Sequence, residues 1–238
     1  MRHFDAEIID LKSSLVETAE LVKKMIQIIR KQFEDPSCFS AQLNDLEREV
    51  NIDEIVIDNK CLKLIALNQP VGRDLRFITS AMKINTDLER MADETISIGA
   101  KIMVKRFSEA EVEQAKPEIK MASDQIERIL KMTDIVQEMV ESAIKAFNTS
   151  DADLAKTILA KDDELAKIRE SIVGYLQKAM AATSDEQQIK IYVNYIMILR
   201  SIQRIGSHAT NIGEDVIFIA QGKDIRHIAG QKAQEPIQ

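Results

Sequence analysis

Apolar side chains recur every three or four positions near the start of the chain, at Leu11, Leu15, Val22, Met25, Ile29 and Phe33, with Thr18 in the same series. That spacing stays on one face of a helix with 3.6 residues per turn. It predicts a first helix over residues 4–34, ended by Asp35-Pro36-Ser37. A second helix is predicted over residues 40–68. A third opens at Pro70, a good first-turn residue, and reaches about Arg106. Ser108 with Glu111 resembles a capping box that opens a fourth helix, which ends near Phe147. Asn148-Thr149-Ser150-Asp151 reads as a turn and cap, and a fifth helix follows to about Ala182. Ser184 with Gln187 resembles a second capping box for a sixth helix, which stops before Gly222. Helices of about 30 residues are roughly 45 Å long. Short connections between most of them make consecutive helices antiparallel neighbours.

The same pattern occurs twice. A shift of 114 residues places Val22 on Val136, Met25 on Met139, Phe33 on Phe147, Arg90 on Arg204, Ile98 on Ile212 and Gly99 on Gly213. A repeat of half the chain is too long for a short-repeat solenoid. It predicts an all-α fold of two tandem three-helix bundles. The expected units are residues 1–108 and 109–222, followed by a partly loose polar tail at 223–238.

Composition narrows the function. Only 7 glycines and 4 prolines occur in 238 residues, too little turn chemistry for a β-sandwich or barrel. A net charge of −7 argues against nucleic acid as a partner. Cys38 and Cys61 form no CxxC pair, which suits a reducing interior. The N-terminal residues lack the apolar stretch of a signal peptide, and no apolar run approaches the roughly 18 residues of a membrane span. The expectation is a soluble cytoplasmic protein that meets a membrane only through its partners.

Candidate chemistry lies on the second and third helices. Glu47, Asn51, Glu54 and Asp58 follow steps of four, three and four, which forms one stripe of oxygen-bearing side chains beside the apolar stripe Leu43, Leu46, Val50, Ile57, Cys61 and Leu64. Glu89 and Asp93 stand one turn apart on the third helix. Carboxylates at such spacing repel unless a cation lies among them, and hard cations take all-oxygen ligands. The spacing alone also fits a solvated acidic face. No Glu-x-x-His pair supports a di-iron oxidase or storage bundle. Neither a His-Glu-x-x-His zinc motif nor a P-loop or GxGxxG is present. Ser207 beside His208 has no oxyanion loop. The chain is therefore expected to be no enzyme.

Three strings extend the reading. LNQPVGRDLRFITSAMKINTDLERMADE at 67–94, VNIDEIVID at 50–58 and RSIQRIGSHATNIGEDVIFIAQGKDIRH at 200–227 resemble the motifs of the PhoU family. The first carries the family's Gln-Pro-x-x-x-Asp-Leu-Arg pattern, and the last its closing Gly-x-x-x-Arg-His. The resemblance spans essentially the whole chain.

The resemblance implies a non-catalytic regulator that restrains phosphate uptake and the phosphate-starvation response. Such proteins act between the ATP-binding side of the phosphate ABC transporter and a membrane sensor histidine kinase, often as homodimers. They bind metal clusters through acidic motifs, with Mg, Mn, Fe, Zn or Ca as candidate ions here. By position, those motifs fall on Glu54 with Asp58 and on Glu89 with Asp93, supported by Glu47 and Asn51. Asp74 and Arg76 fall on the Asp-Leu-Arg motif, which also fits a structural salt-bridge turn. The second repeat departs from the pattern: Gln203 and Ser207 replace the usual Glu and Asp, and Ala166 stands one turn after Asp162. Metal is therefore expected mainly on the first repeat. A metal-binding helical bundle for storage or oxidase activity and a metal-free signalling scaffold are the alternatives.

Overall fold

The computed structural model describes residues 2–34, 41–113 and 123–222. Six helices account for nearly all of them: α1 (Arg2–Glu34), α2 (Gln42–Asn68), α3 (Gly72–Glu113), α4 (Ser123–Thr149), α5 (Ala152–Ala181) and α6 (Glu186–Gln221). No strand occurs among the described residues. The expected tail at 223–238 lies outside them.

Three helix starts differ from the sequence expectation. The backbone of α3 stays helical through Ser108 to Glu113, so Ser108 and Glu111 open no helix and the expected unit boundary at 108 falls inside α3. The run from Arg106 to Glu113 holds Ala and three Glu with no glycine or proline, so nothing in it stops a helix. At α6 the cap is Asp185 rather than Ser184. Its carboxylate accepts from the backbone N–H groups of Gln187 and Gln188, while Asp185 N–H donates to Thr183 Oγ1. The cap of α5 is Asp151, which accepts from the N–H groups of Asp153 and Leu154. The third helix begins at Gly72, two residues after Pro70. Proline disfavours the helical region for the residue before it, and Gln69 accordingly turns left-handed, at φ 46, to end α2.

Helices α1, α2 and α3 pack on one another, as do α5 and α4 on α6. The two bundles join through α1 on α4 and, most extensively, α3 on α6. Among the described residues, α2 touches only α1 and α3, and α5 touches only α4 and α6, so these two are the outer helices of the two bundles. One apolar core runs through both bundles, and Ile26, Ile29, Ile98, Val136, Ile202 and Ile205 fill the place where α1, α3, α4 and α6 meet.

Glycine permits the closest helix approaches. A Cβ on Gly99 would lie 2.8 Å from Leu43 Cδ2, and one on Gly206 would lie 2.5 Å from Leu165 Cδ2. The latter two residues bring α6 onto α5, the former pair α3 onto α2. These approaches place the oxygen-bearing face of α2 beside α3.

Candidate functional site

The sequence-predicted residues divide between facing sides of α2 and α3. On α2, Asn51 donates to Glu47 across 2.6 Å, one turn apart. Further along, the buried amide of Asn85 on α3 donates to the Glu54 backbone carbonyl at 2.9 Å and to Asp58 Oδ1 at 3.1 Å. Asn85 therefore fixes the height of α3 against the Glu54–Asp58 turn. It lies one turn before Glu89, on the same side of α3, and sequence reading passed over it because it carries no charge.

Glu89 is the pivot of the group. Burial raises its carboxyl pKa above the ordinary value, and the nearby carboxylates of Asp93 and Glu54 raise it further, against the lowering effect of Arg90. Glu54 and Glu89 thus feel each other's charge across the α2–α3 seam. Arg90 is the competing cation: its Nε lies 3.4 Å from Glu89 and its guanidinium 3.6 Å from Asp93. Among the described residues, no three His, Cys, Asp or Glu side chains converge as a ready-made metal cage. The structure brings together Glu54, Glu89 and Asp93 electrostatically, joins Asp58 to them through Asn85, and leaves Glu47 with Asn51 nearer the start of α2. All the donors are oxygens, the chemistry that Mg²⁺, Ca²⁺ or Mn²⁺ takes, and a cation would relieve the repulsion that burial and proximity impose on Glu89.

The second repeat is built differently. The buried series Leu43, Val50, Ile57 and Cys61 of α2 corresponds to Ile158, Leu165, Ile172 and Leu176 of α5. In that register Asp162 stands for Glu47, Ala166 for Asn51, Arg169 for Glu54 and Val173 for Asp58. On α6, Gln203 stands for Glu89 and Ser207 for Asp93. An arginine thus occupies the place of a candidate ligand. Asp162 keeps a carboxyl whose pKa is raised by burial and then by Asp163. Its Oδ1, Gln203 Oε1 and Arg169 Nε are buried without hydrogen-bond partners.

Between the repeats, α3 and α6 run antiparallel and exchange a polar series. Asn194 donates to the Lys101 carbonyl at 2.7 Å, and Arg204 pairs with Glu94 at 2.6 Å. His208 Nδ1 meets Asp87 Oδ1 at 2.7 Å, where Asn211 also donates, and Lys83 lies 3.6 Å from Asp215. The cross-repeat pairing has no helical spacing, so periodicity within either helix carries no trace of it. No salt bridge joins Asp74 to Arg76 among the described residues. Arg76 instead lies against Gly222, where α6 ends, 3.6 Å from the position of a glycine Cβ.

Comparison with known proteins places these features in a family. The PhoU domain model matches residues 15–102 and again 129–216. The two spans are offset by the same 114 residues as the internal repeat. The phosphate-specific transport system accessory protein PhoU homolog of Pseudomonas aeruginosa is 31% identical over all of this chain and 93% of its own length. The PhoU protein of Escherichia coli, also described as a phosphate-specific transport system accessory protein, is 26% identical over 96% of this chain and 90% of its own. The crystal structure of Pseudomonas aeruginosa PhoU superimposes with a TM-score of 0.79 at 29% identity, covering 92% of this chain and all of that one. A Streptococcus pneumoniae PhoU structure shares the fold, with a TM-score of 0.78 at 22% identity over 93% and 99% of the two chains.

Proposed function

Because the chain belongs to the PhoU domain family, we propose that it is an accessory regulator of phosphate-specific transport, restraining phosphate uptake and the phosphate-starvation response. The observation that carries this reading is the match of both repeats, over the full chain, to proteins described as accessory to that transport system. Regulation proceeds by contact: the protein works in the cytoplasm, as a homodimer, between the ATP-binding subunit of the phosphate ABC transporter and the phosphate sensor kinase. The six-helix scaffold supports this role, since it offers long rigid faces for docking. The protein meets the membrane through those partners; no helix in the described residues is long and apolar enough to cross one.

In this reading a divalent or trivalent cation is held mainly on the first repeat by Glu54, Asp58, Glu89 and Asp93, with Glu47 and Asn51 in support. The cation supplies charge neutralisation and ties α2 to α3. Asn85 positions Asp58, and Arg90 yields its place beside Glu89 and Asp93.

Affinity capture tests the central contact. The tagged chain, drawn from phosphate-replete cells, is probed with antibodies against the transporter's ATP-binding subunit and the sensor kinase. Enrichment of the ATP-binding subunit over a tag-only control is expected. Absence of both partners, with the tagged chain recovered folded, would contradict the reading.

A further inference from the structure

Helix α2 has a second apolar face. Its buried face packs on α1 and α3, yet Ile52, Ile55 and Leu62 on the outer side remain 62%, 63% and 55% exposed, with Val56 beside them. Arg48, Ile52, Ile55, Asn59, Leu62 and Ala66 follow steps of four, three, four, three and four, the alternation of a coiled-coil seam. The repeat does not require this face. At the corresponding positions α5 carries Lys167 for Ile52, Glu170 for Ile55, Gly174 for Asn59 and Gln177 for Leu62. The outer helix of one repeat is thus polar, and that of the other presents four exposed apolar side chains along one side, interrupted by Asn59, as at an interface.

We propose that this stripe is where two copies of the chain associate, α2 against α2 and antiparallel; the proposal rests on the homodimer reading above and gives that dimer its surface. Charge selects both the occupant and the direction. Glu49, Val56 and Lys63 flank the seam at seven-residue spacing, all exposed. In an antiparallel pair centred near Val56, Glu49 of each copy meets Lys63 of the other, and the two Val56 side chains lie beside the two-fold axis. Ile52 then packs on Leu62 of the second copy, and Ile55 lies over its Asn59. A parallel pair would set Arg48 against Arg48 and Asp45 against Asp45. Both contacts are like-charged and unfavourable. The antiparallel arrangement is isologous and closes on itself, as a two-fold dimer must. Asp58 flanks the seam on the side opposite Val56, where the hydrogen bond from Asn85 holds its carboxylate toward α3; Glu54 lies farther round on that same side.

Sedimentation equilibrium of the purified full chain at about 50 µM, roughly the range where modest dimers persist, tests the surface. Wild type is expected to sediment as a dimer. Ile55→Glu, at an exposed position, is expected to sediment as a monomer with unchanged helical circular dichroism and melting. Glu49→Lys and Lys63→Glu are each expected to weaken the dimer roughly tenfold or more, and the double substitution is expected to restore it. A monomeric wild type would overturn both the homodimer reading and this surface, and would assign the stripe to another protein. A dimer indifferent to Ile55→Glu would overturn the surface alone. Weakening by the single charge changes without restoration by the double would overturn the antiparallel register.

Discussion

Arg204 on α6 pairs with Glu94 on α3 across 2.6 Å, and the mirror contact that the repeat would place between Arg90 and His208 has no carboxylate on which to form. Arg204 is the repeat counterpart of Arg90, and His208 that of Glu94. This one difference between the repeats splits the seam. Arg90 turns to Glu89 and Asp93 on its own helix, and His208 takes Asp87 instead. The asymmetry at the centre of the molecule matches the asymmetry at its acidic face.

Removing Arg204 should expose the cost of that arrangement. Glu94 is buried, while the arginine side chain is half exposed, so solvent screens part of the pair. Arg204→Met should lower stability by about 1–2 kcal/mol, because a buried carboxylate loses its partner. Glu94→Gln in the same background should recover most of that loss. Urea denaturation of the three variants measures both effects.

Two helical glycines should respond in opposite directions. A Cβ on Gly213 would lie 3.3 Å from the Ala155 carbonyl oxygen, a backbone atom that cannot rotate away. Gly213→Val should therefore destabilise by roughly 1–3 kcal/mol. A Cβ on Gly174 would meet nothing within 4 Å. Gly174→Ala should stabilise by about 0.5–1 kcal/mol through helix propensity. Thermal unfolding of the two variants beside wild type checks both signs.

Metal should follow the carboxylates rather than the repeat. Glu89→Gln with Asp93→Ser writes the second repeat's side chains into the first. The pair should lower the metal content of the purified protein, measured by plasma emission, at unchanged helicity. Unchanged metal in that variant, or anomalous scattering centred on the second repeat, would refute the assignment.

Cys61 should be inert in the folded protein. It is fully buried, and burial, followed by the charge of Asp58, pushes its thiol up to about 12. At pH 8 a thiol reagent should leave Cys61 unmodified until denaturant unfolds α2. Mass spectrometry of the Cys61 peptide, with and without denaturant, checks this.

The helices and the repeat were legible because periodicity is a local signal: Leu11 to Phe33 announces α1 without reference to any other element. The stop at Ser108 was misplaced because a capping box is also a helix-compatible sequence, and only a break before it gives it meaning. The cap at Asp185 was misplaced by one residue, since Ser184 offers a similar oxygen. In the candidate site the charged pairs stood out by spacing. Asn85 did not, because its role is a distance to another helix. Glu94 with Arg204, and Asp87 with His208, were invisible for the same reason: residues more than 100 positions apart meet only once α3 and α6 are packed. The buried stripe of α2 was legible, but Ile52, Ile55 and Leu62 fall outside it, and only the packing of α1 and α3 on α2 shows that they stay exposed.

The central claim is that this chain restrains phosphate transport, and the most direct test is the initial rate of radiolabelled phosphate uptake in phosphate-replete cells lacking the chain. Uptake should rise in the deletion strain and return to the parental rate when the wild-type chain is supplied in trans. A deletion strain whose uptake equals that of its parent, at equal transporter abundance, would contradict the account.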